Sequence, residues 1–134
     1  MKITVAAIGR ASRGPERDLY EHYAGRIRWP LVLRELEEKR KLSPPEMMRR
    51  EGELLLEAAP AGAVLVALDR RGKPLDSEAL ARRLERWRDD SVSDVAFLIG
   101  GADGHAKPLL KKASLVLSFG AMTWPHLLAR AMLA

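Results

Sequence analysis

Hydrophobic positions along the chain fall into two alternating rhythms. Short, nearly continuous apolar runs are separated by segments in which apolar residues recur every three or four positions. The first run is Lys2 to Gly9, with Val5, Ala6, Ala7 and Ile8 unbroken, which predicts a strand covered on both faces. After the loop Gly9 to Gly14, Pro15 suits the first turn of a helix. Its predicted stripe is Leu19, Tyr23 and Ile27, and its predicted end is at Trp29-Pro30. Leu31 to Leu36 reads as a second strand, and Glu37 to Leu42 as a charged connector. Ser43-Pro44-Pro45-Glu46 predicts a helix start with a serine cap, proline in the first turn and glutamate closing a capping box. Met47, Leu54, Leu55 and Ala58 give that helix its apolar face, and Pro60-Ala61-Gly62 stops it.

The rhythm repeats. Ala63 to Asp69 is a third two-sided apolar run, predicted to end in a polar turn from Asp69 to Pro74. Asp76 caps a helix whose stripe is Leu80, Leu84 and Trp87, with arginines on its other face. Val95 to Ile99 is the fourth strand, broken at Gly100-Gly101-Ala102-Asp103-Gly104. A short lysine-bearing helix around Pro108 leads to the fifth run, Ser114 to Gly120, and an apolar helix follows from Pro125. Strand and helix thus alternate five times. That order predicts an α/β fold with a mostly parallel sheet of about five strands and helices on both faces. The last helix keeps its apolar face up to Ala134 without a stop signal, so the expectation is a single domain over 1–134 whose natural chain continues further.

Composition narrows the functional classes. The chain has 134 residues, 47% of them hydrophobic, which fits one globular domain. It has no cysteine, so disulfides, thiol catalysis and thiolate metal sites are excluded. The absence of a leader pattern and of a long apolar span predicts a soluble cytoplasmic protein that does not enter a membrane. The net charge is +5, and its basic excess sits in Arg10, Arg13, Arg26, Arg28, the pairs Arg49-Arg50 and Arg70-Arg71, and Lys73. Such a balance suits a nucleic-acid partner, but arginine-rich surfaces also occur without one, so charge leaves both readings open.

The two glycine-ended strands are the best site candidate, because ligands of open α/β sheets bind at the carboxyl ends of strands. Glycine there admits a close approach of backbone to ligand. The segment Gly100 to Gly104 is neither a dinucleotide fingerprint nor a P-loop. His22, His105 and His126 are scattered, so no metal is expected. Ser118, His126 and Asp103 lack the nucleophile elbow of a hydrolase. There remains a pocket of backbone groups and apolar side chains in which Leu68, Met122 and Trp124 could sandwich an adenine ring.

Several motifs resemble one family. Leu98-Ile99-Gly100-Gly101-Ala102-Asp103-Gly104 is similar to the L-I-G-G-x-x-G motif of the ribosomal RNA large-subunit methyltransferase H family, in the SPOUT superfamily. Met122-Thr123-Trp124-Pro125-His126-Leu127-Leu128-Ala129-Arg130 resembles its second signature, M/L-T-x-P-H-x-x-x-R. Met1 to Gly9, Leu68 to Ser77 and Leu84-Glu85-Arg86-Trp87 resemble it too, so the likeness covers nearly the whole chain.

The resemblance implies a C-terminal trefoil knot, an exception to unknotted topology. It implies S-adenosylmethionine as cofactor, methyl transfer to N3 of a pseudouridine in large-subunit rRNA of the assembled ribosome, and a homodimer. Carried over by position, it implies cofactor contacts at Leu68, Gly100, Gly101, Gly120, Ala121, Met122, Thr123, Trp124 and Pro125, with no metal. Arg10, Arg130 and His126 are candidates for contact with the RNA, and no catalytic base is assigned. Two departures stand out. Leu127 replaces the family's usual glutamine or proline, and the family's tail beyond the last helix is not present, so cofactor binding could outlast efficient methylation. The alternative functions are an inactive RNA- or ribosome-binding module of the same fold and a nucleotide-binding regulatory domain.

Overall fold

The computed structural model describes all residues, 1–134. Its elements are β1 (Lys2–Ile8), α1 (Pro15–Ala24), β2 (Leu31–Leu36), α2 (Pro44–Ala58), β3 (Val64–Lys73), α3 (Ser77–Asp89), β4 (Asp94–Ile99), α4 (Lys107–Lys112), β5 (Leu115–Leu117) and α5 (His126–Leu133). The five strands form one sheet in the order β2-β1-β4-β3-β5, and every pair is parallel.

Alternation along the strands sorts side chains to the two faces. Ile3, Val5, Val66, Val95, Phe97, Leu115 and Leu117 build one core, against Leu80, Leu84 and Trp87 of α3 and Leu133 of α5. Ala6, Ile8, Ala67, Ala96 and Leu98 build the other, against Leu55 of α2 and Leu109 of α4. Small residues dominate the second face, which lets α2 and α4 approach the sheet closely. Helices therefore cover both faces, as the alternation predicted, and parallel strands buried on both sides explain the near-continuous apolar runs.

Three local expectations need correction. First, α1 ends at Ala24, so Ile27 lies outside it, and its buried residue is Tyr20; Leu19 and Tyr23 are 40% and 39% exposed. The spacing of four marked an apolar stripe, but the packed face lies beside it. Second, Ser43 occupies the N-cap position of α2 but its side chain makes no capping bond. Asp76, by contrast, accepts the Ala79 N–H at 2.7 Å. Third, the expected polar turn after Asp69 is a continuation of β3 to Lys73. The strand pairs Leu68 with Leu117, shifts register, and pairs Lys73 with Leu117 again. The segment between is a bulge around the end of β5.

Candidate functional site

The carboxyl ends of β3, β4 and β5, together with the start of α5, enclose a cleft of about 430 Å³. That volume lies within the range of roughly 300–1,000 Å³ usual for small-molecule sites. One wall is the turn after β4, closed by the Gly104 N–H donating to the Gly101 carbonyl at 3.1 Å. The side of Gly101 away from the cleft is crowded. A Cβ there would sit 3.0 Å from both carboxylate oxygens of Glu51 and 3.2 Å from Ile8 Cγ2. At Gly100 a Cβ would meet the His105 ring at 3.2 Å. The protein behind these two glycines thus crowds the space a side chain would need.

The other wall follows β5. Ser118 Oγ accepts the Gly120 N–H at 3.0 Å and faces the Arg70 and Gly120 carbonyls, each at 3.1 Å. Gly120 has φ +107°, a conformation that L side chains rarely adopt, and nothing lies within 4 Å of where its Cβ would be. The chain then exposes Met122 (75%) and Trp124 (40%), and the Trp124 indole N–H donates to the Phe119 carbonyl at 3.2 Å.

Two of the four charged side chains at the cleft pair with each other. Arg71 grips Asp69 with two side-chain bonds of 2.8 and 2.9 Å, and these hold the Asp69 carboxyl below its ordinary pKa against the opposing effect of burial. His105 is 3% exposed, with Nε2 at 3.1 Å from the Leu98 carbonyl, and burial lowers its pKa. His126 lies over Gly9 and lines the cleft; partial burial, then the Arg130 charge, lowers its pKa as well. Both rings are therefore neutral near pH 7. Glu51 has its pKa raised, by burial first and by the Asp103 carboxylate second.

Of the residues singled out from the sequence, Leu68, Gly100, Gly101, Gly120, Met122, Thr123, Trp124 and His126 line this cleft together. Ala121 and Pro125 belong to the same segment but do not line it. Arg10 is exposed on the loop after β1, 3.6 Å from Glu37. Arg130, a candidate for contact with the RNA, is buried within the chain. Its side chain is 2% exposed, bridges Glu35 at 2.7 Å, and donates to the Gly9 carbonyl at 2.9 Å. It fastens α5 to the ends of β1 and β2. The sequence reading missed Met48, Asp69, Arg70, Arg71, Asp103 and His105 on the cleft wall. Met48 carries no signal, since nothing in the pattern brings α2 to the β4 turn, and the Asp69–Arg71 clasp read as solvated turn.

Apolar side chains such as Leu68, Met122 and Trp124 stand beside backbone polar groups and the charged Asp69, Arg70, Arg71 and Asp103, a mixed lining that suits a small ligand with a flat apolar part and a polar part. No group of three or more His, Asp or Glu side chains is placed to hold a metal ion, and no helix is long and apolar enough to cross a membrane.

Comparison with known proteins agrees with this geometry. The family model described as a predicted SPOUT methyltransferase matches residues 1–134. The chain is similar over its full length to proteins named ribosomal RNA large subunit methyltransferase H. Identity is 55% to that of Rhodospirillum centenum, 53% to that of Paramagnetospirillum magneticum and 48% to that of Rhodospirillum rubrum, and each alignment covers 88% of the relative.

Proposed function

The chain belongs to the ribosomal RNA large subunit methyltransferase H family of the SPOUT superfamily, and on that premise we propose that it transfers a methyl group from S-adenosylmethionine to N3 of a pseudouridine in large-subunit rRNA of the assembled ribosome. The observation that carries the reading is the cleft between the two glycine-ended strands. Its residues fit the cofactor. Leu68, Met122 and Trp124 are apolar surfaces for an adenine ring, and the segments Gly100–Gly101 and Gly120–Pro125 offer backbone donors and acceptors for its edge.

When bound, the cofactor supplies a sulfonium methyl that is already strongly electrophilic. The work left to the protein is to hold the acceptor in line, keep water out and help the N3 proton leave. His126, neutral near pH 7 and facing the cleft, is able to accept a hydrogen bond or a proton from a substrate arriving over α5. Exposed Arg70 at the rim and Arg10 on the neighbouring loop suit rRNA phosphate.

The same reading includes a trefoil knot, a homodimer and a cytoplasmic site of action. In support of the knot, residues 69–73 bulge around β5 so tightly that a Cβ at Gly72 would overlap the Val116 carbonyl, and the Ser118 N–H donates to the Lys73 carbonyl at 3.0 Å. In support of the homodimer, α1 and α5 leave the large hydrophobic residues Leu19, Tyr23 and Met132 39–43% exposed.

Calorimetry with S-adenosylhomocysteine tests the cofactor. Saturable binding at micromolar to submillimolar concentration is expected, and no heat at millimolar ligand overturns the reading. Transfer of labelled methyl to ribosomes that lack the modification tests the reaction. Cofactor binding without transfer would leave the inactive ribosome-binding module as the better reading.

A further inference from the structure

Glu51 is a buried carboxyl beside the cleft with no partner. Residue Glu51 is 9% exposed, and its Oε1 atom is buried without a hydrogen bond. A buried acceptor left without a partner is costly and calls for an explanation. It lies directly beside Gly101, with both carboxylate oxygens 3.0 Å from where a Cβ would be. It also stands one helical turn from Met48, which lines the cleft itself.

The turn in front of Glu51 has the complementary deficiency. The Gly104 N–H is used within the turn, but the amides of Gly101, Ala102 and Asp103 donate to no group of the protein. Unpaired donors on the turn thus lie close to an unpaired acceptor beside Gly101. The charged group acting on Glu51 is the Asp103 carboxylate, which offers it no donor and disfavours its ionised form.

We propose that Glu51 is a positioning residue for the cleft's ligand: when the ligand seats, the Glu51 carboxyl takes up hydrogen bonds from the Gly101–Asp103 amides, bonds that are unmade in the unliganded chain, and so sets the turn against which the ligand lies. Gly101 lacks a side chain because that carboxyl must reach the turn. The backbone of Gly101 does not itself require glycine, since its φ is not among the positive ones. Glu51 is held at a cost in stability for the sake of binding, the pattern expected of groups kept for function. This inference rests on the cofactor reading above.

The test combines S-adenosylhomocysteine calorimetry, thermal melting and amide hydrogen exchange on the wild type, Glu51→Gln and Glu51→Met. Methionine keeps the volume and removes the acceptor, whereas glutamine keeps one acceptor oxygen. The expected result is affinity at least tenfold weaker in Glu51→Met and within about threefold of wild type in Glu51→Gln, with neither Tm below that of the wild type. Ligand binding should also slow exchange of the Gly101–Asp103 amides in the wild type and not in Glu51→Met. If the wild type binds and Glu51→Met binds within twofold of it, the proposal is overturned while the cofactor reading stands. A lower Tm in Glu51→Met with unchanged amide protection makes Glu51 purely structural and overturns it as well. Should Glu51→Met fail to fold, Glu51→Gln decides by amide protection: retained protection supports the role and lost protection with wild-type affinity refutes it. If the wild type does not bind, the cofactor reading fails and the inference falls with it.

Discussion

The two walls of the cleft are both strand ends finished by glycine, yet they are built by opposite means. After β4, Gly100 and Gly101 are pressed against His105 and Glu51, and the turn is backed by protein. After β5, Gly120 has open space where its Cβ would be, and the chain beyond it shows Met122 and Trp124 to solvent. The first wall is fixed by packing before any ligand arrives. The second is an apolar surface with nothing on it, held at its far end by α5. A glycine can therefore mark either a place the protein fills or a place it leaves free, and only the surroundings distinguish them.

The largest effect should come from undoing what anchors the open wall. Arg130→Ala leaves Glu35 with only its Ala11 N–H bond and frees the carbonyl of Gly9. Breaking a buried pair from one side typically costs about 3 kcal/mol or more. Urea denaturation should show that loss, and S-adenosylhomocysteine affinity should fall because the segment 120–125 leads directly into α5. If Arg130→Ala melts like the wild type, the anchoring role is wrong.

Next, the same substitution at the two walls should give different signatures. Gly101→Ala drives a methyl group to 3.0 Å from the Glu51 carboxylate and 3.2 Å from Ile8, an overpacking of about 1–3 kcal/mol that also displaces the turn. Shortening the obstacle in Glu51→Ala/Gly101→Ala should recover much of that stability. Gly120→Ala meets no atom and suffers only from φ +107°, a backbone cost of about 1–2 kcal/mol that no second-site change should relieve. Equal rescue at both positions, or at neither, would erase the contrast between the walls.

This contrast bounds what the sequence could reveal. Periodicity was sufficient for the five strands and for the helices on both faces, because those follow from which residues must be buried; the glycine breaks pointed to the strand ends that border the cleft. It did not reveal the strand order β2-β1-β4-β3-β5, since pairing depends on chain crossings that leave no trace in local pattern. The Asp69–Arg71 clasp and the bulge around β5 were hidden because polar residues next to glycine read as turn. Arg130 looked like a candidate for contact with the RNA because arginine suits phosphate. Its burial depends on Glu35, 95 positions away, and on two carbonyls at the end of β1. Met48 and Glu51 reach the cleft only through the docking of α2, which no motif announces.

The fixed wall should also be the acid-sensitive one. His105 is held neutral by burial, so its folded pKa lies below the ordinary 6.5. The folded chain then binds fewer protons than the unfolded chain as soon as pH drops below that value. Stability is full above pH 6.5 and is lost as pH falls from 6.5 towards the folded pKa. The carboxylates held low, Glu35 and Asp69, act in a separate window that begins near their ordinary values of 4.5 and 3.8. Denaturation midpoints between pH 8 and 5 should therefore decline, and His105→Gln, whose amide nitrogen stands where Nε2 does and keeps an N–H for the Leu98 carbonyl, should flatten that decline. A slope unchanged by His105→Gln would assign the loss elsewhere, with His126 the remaining histidine whose pKa is also lowered.

The smallest effect on stability, and the most telling for the open wall, belongs to Trp124. Its ring is 40% exposed and its single bond, from the indole N–H to the Phe119 carbonyl, is itself exposed. Removing such a side chain typically changes stability by no more than about 0.5 kcal/mol. If the ring is a cofactor surface, Trp124→Ala should leave the melting curve nearly unchanged while weakening S-adenosylhomocysteine binding about tenfold, and Trp124→Phe should restore most of the affinity without the indole bond. A melting loss with unchanged affinity would mean that Trp124 belongs to the fold. The open wall would then have to be sought at Met122 and Leu68 instead.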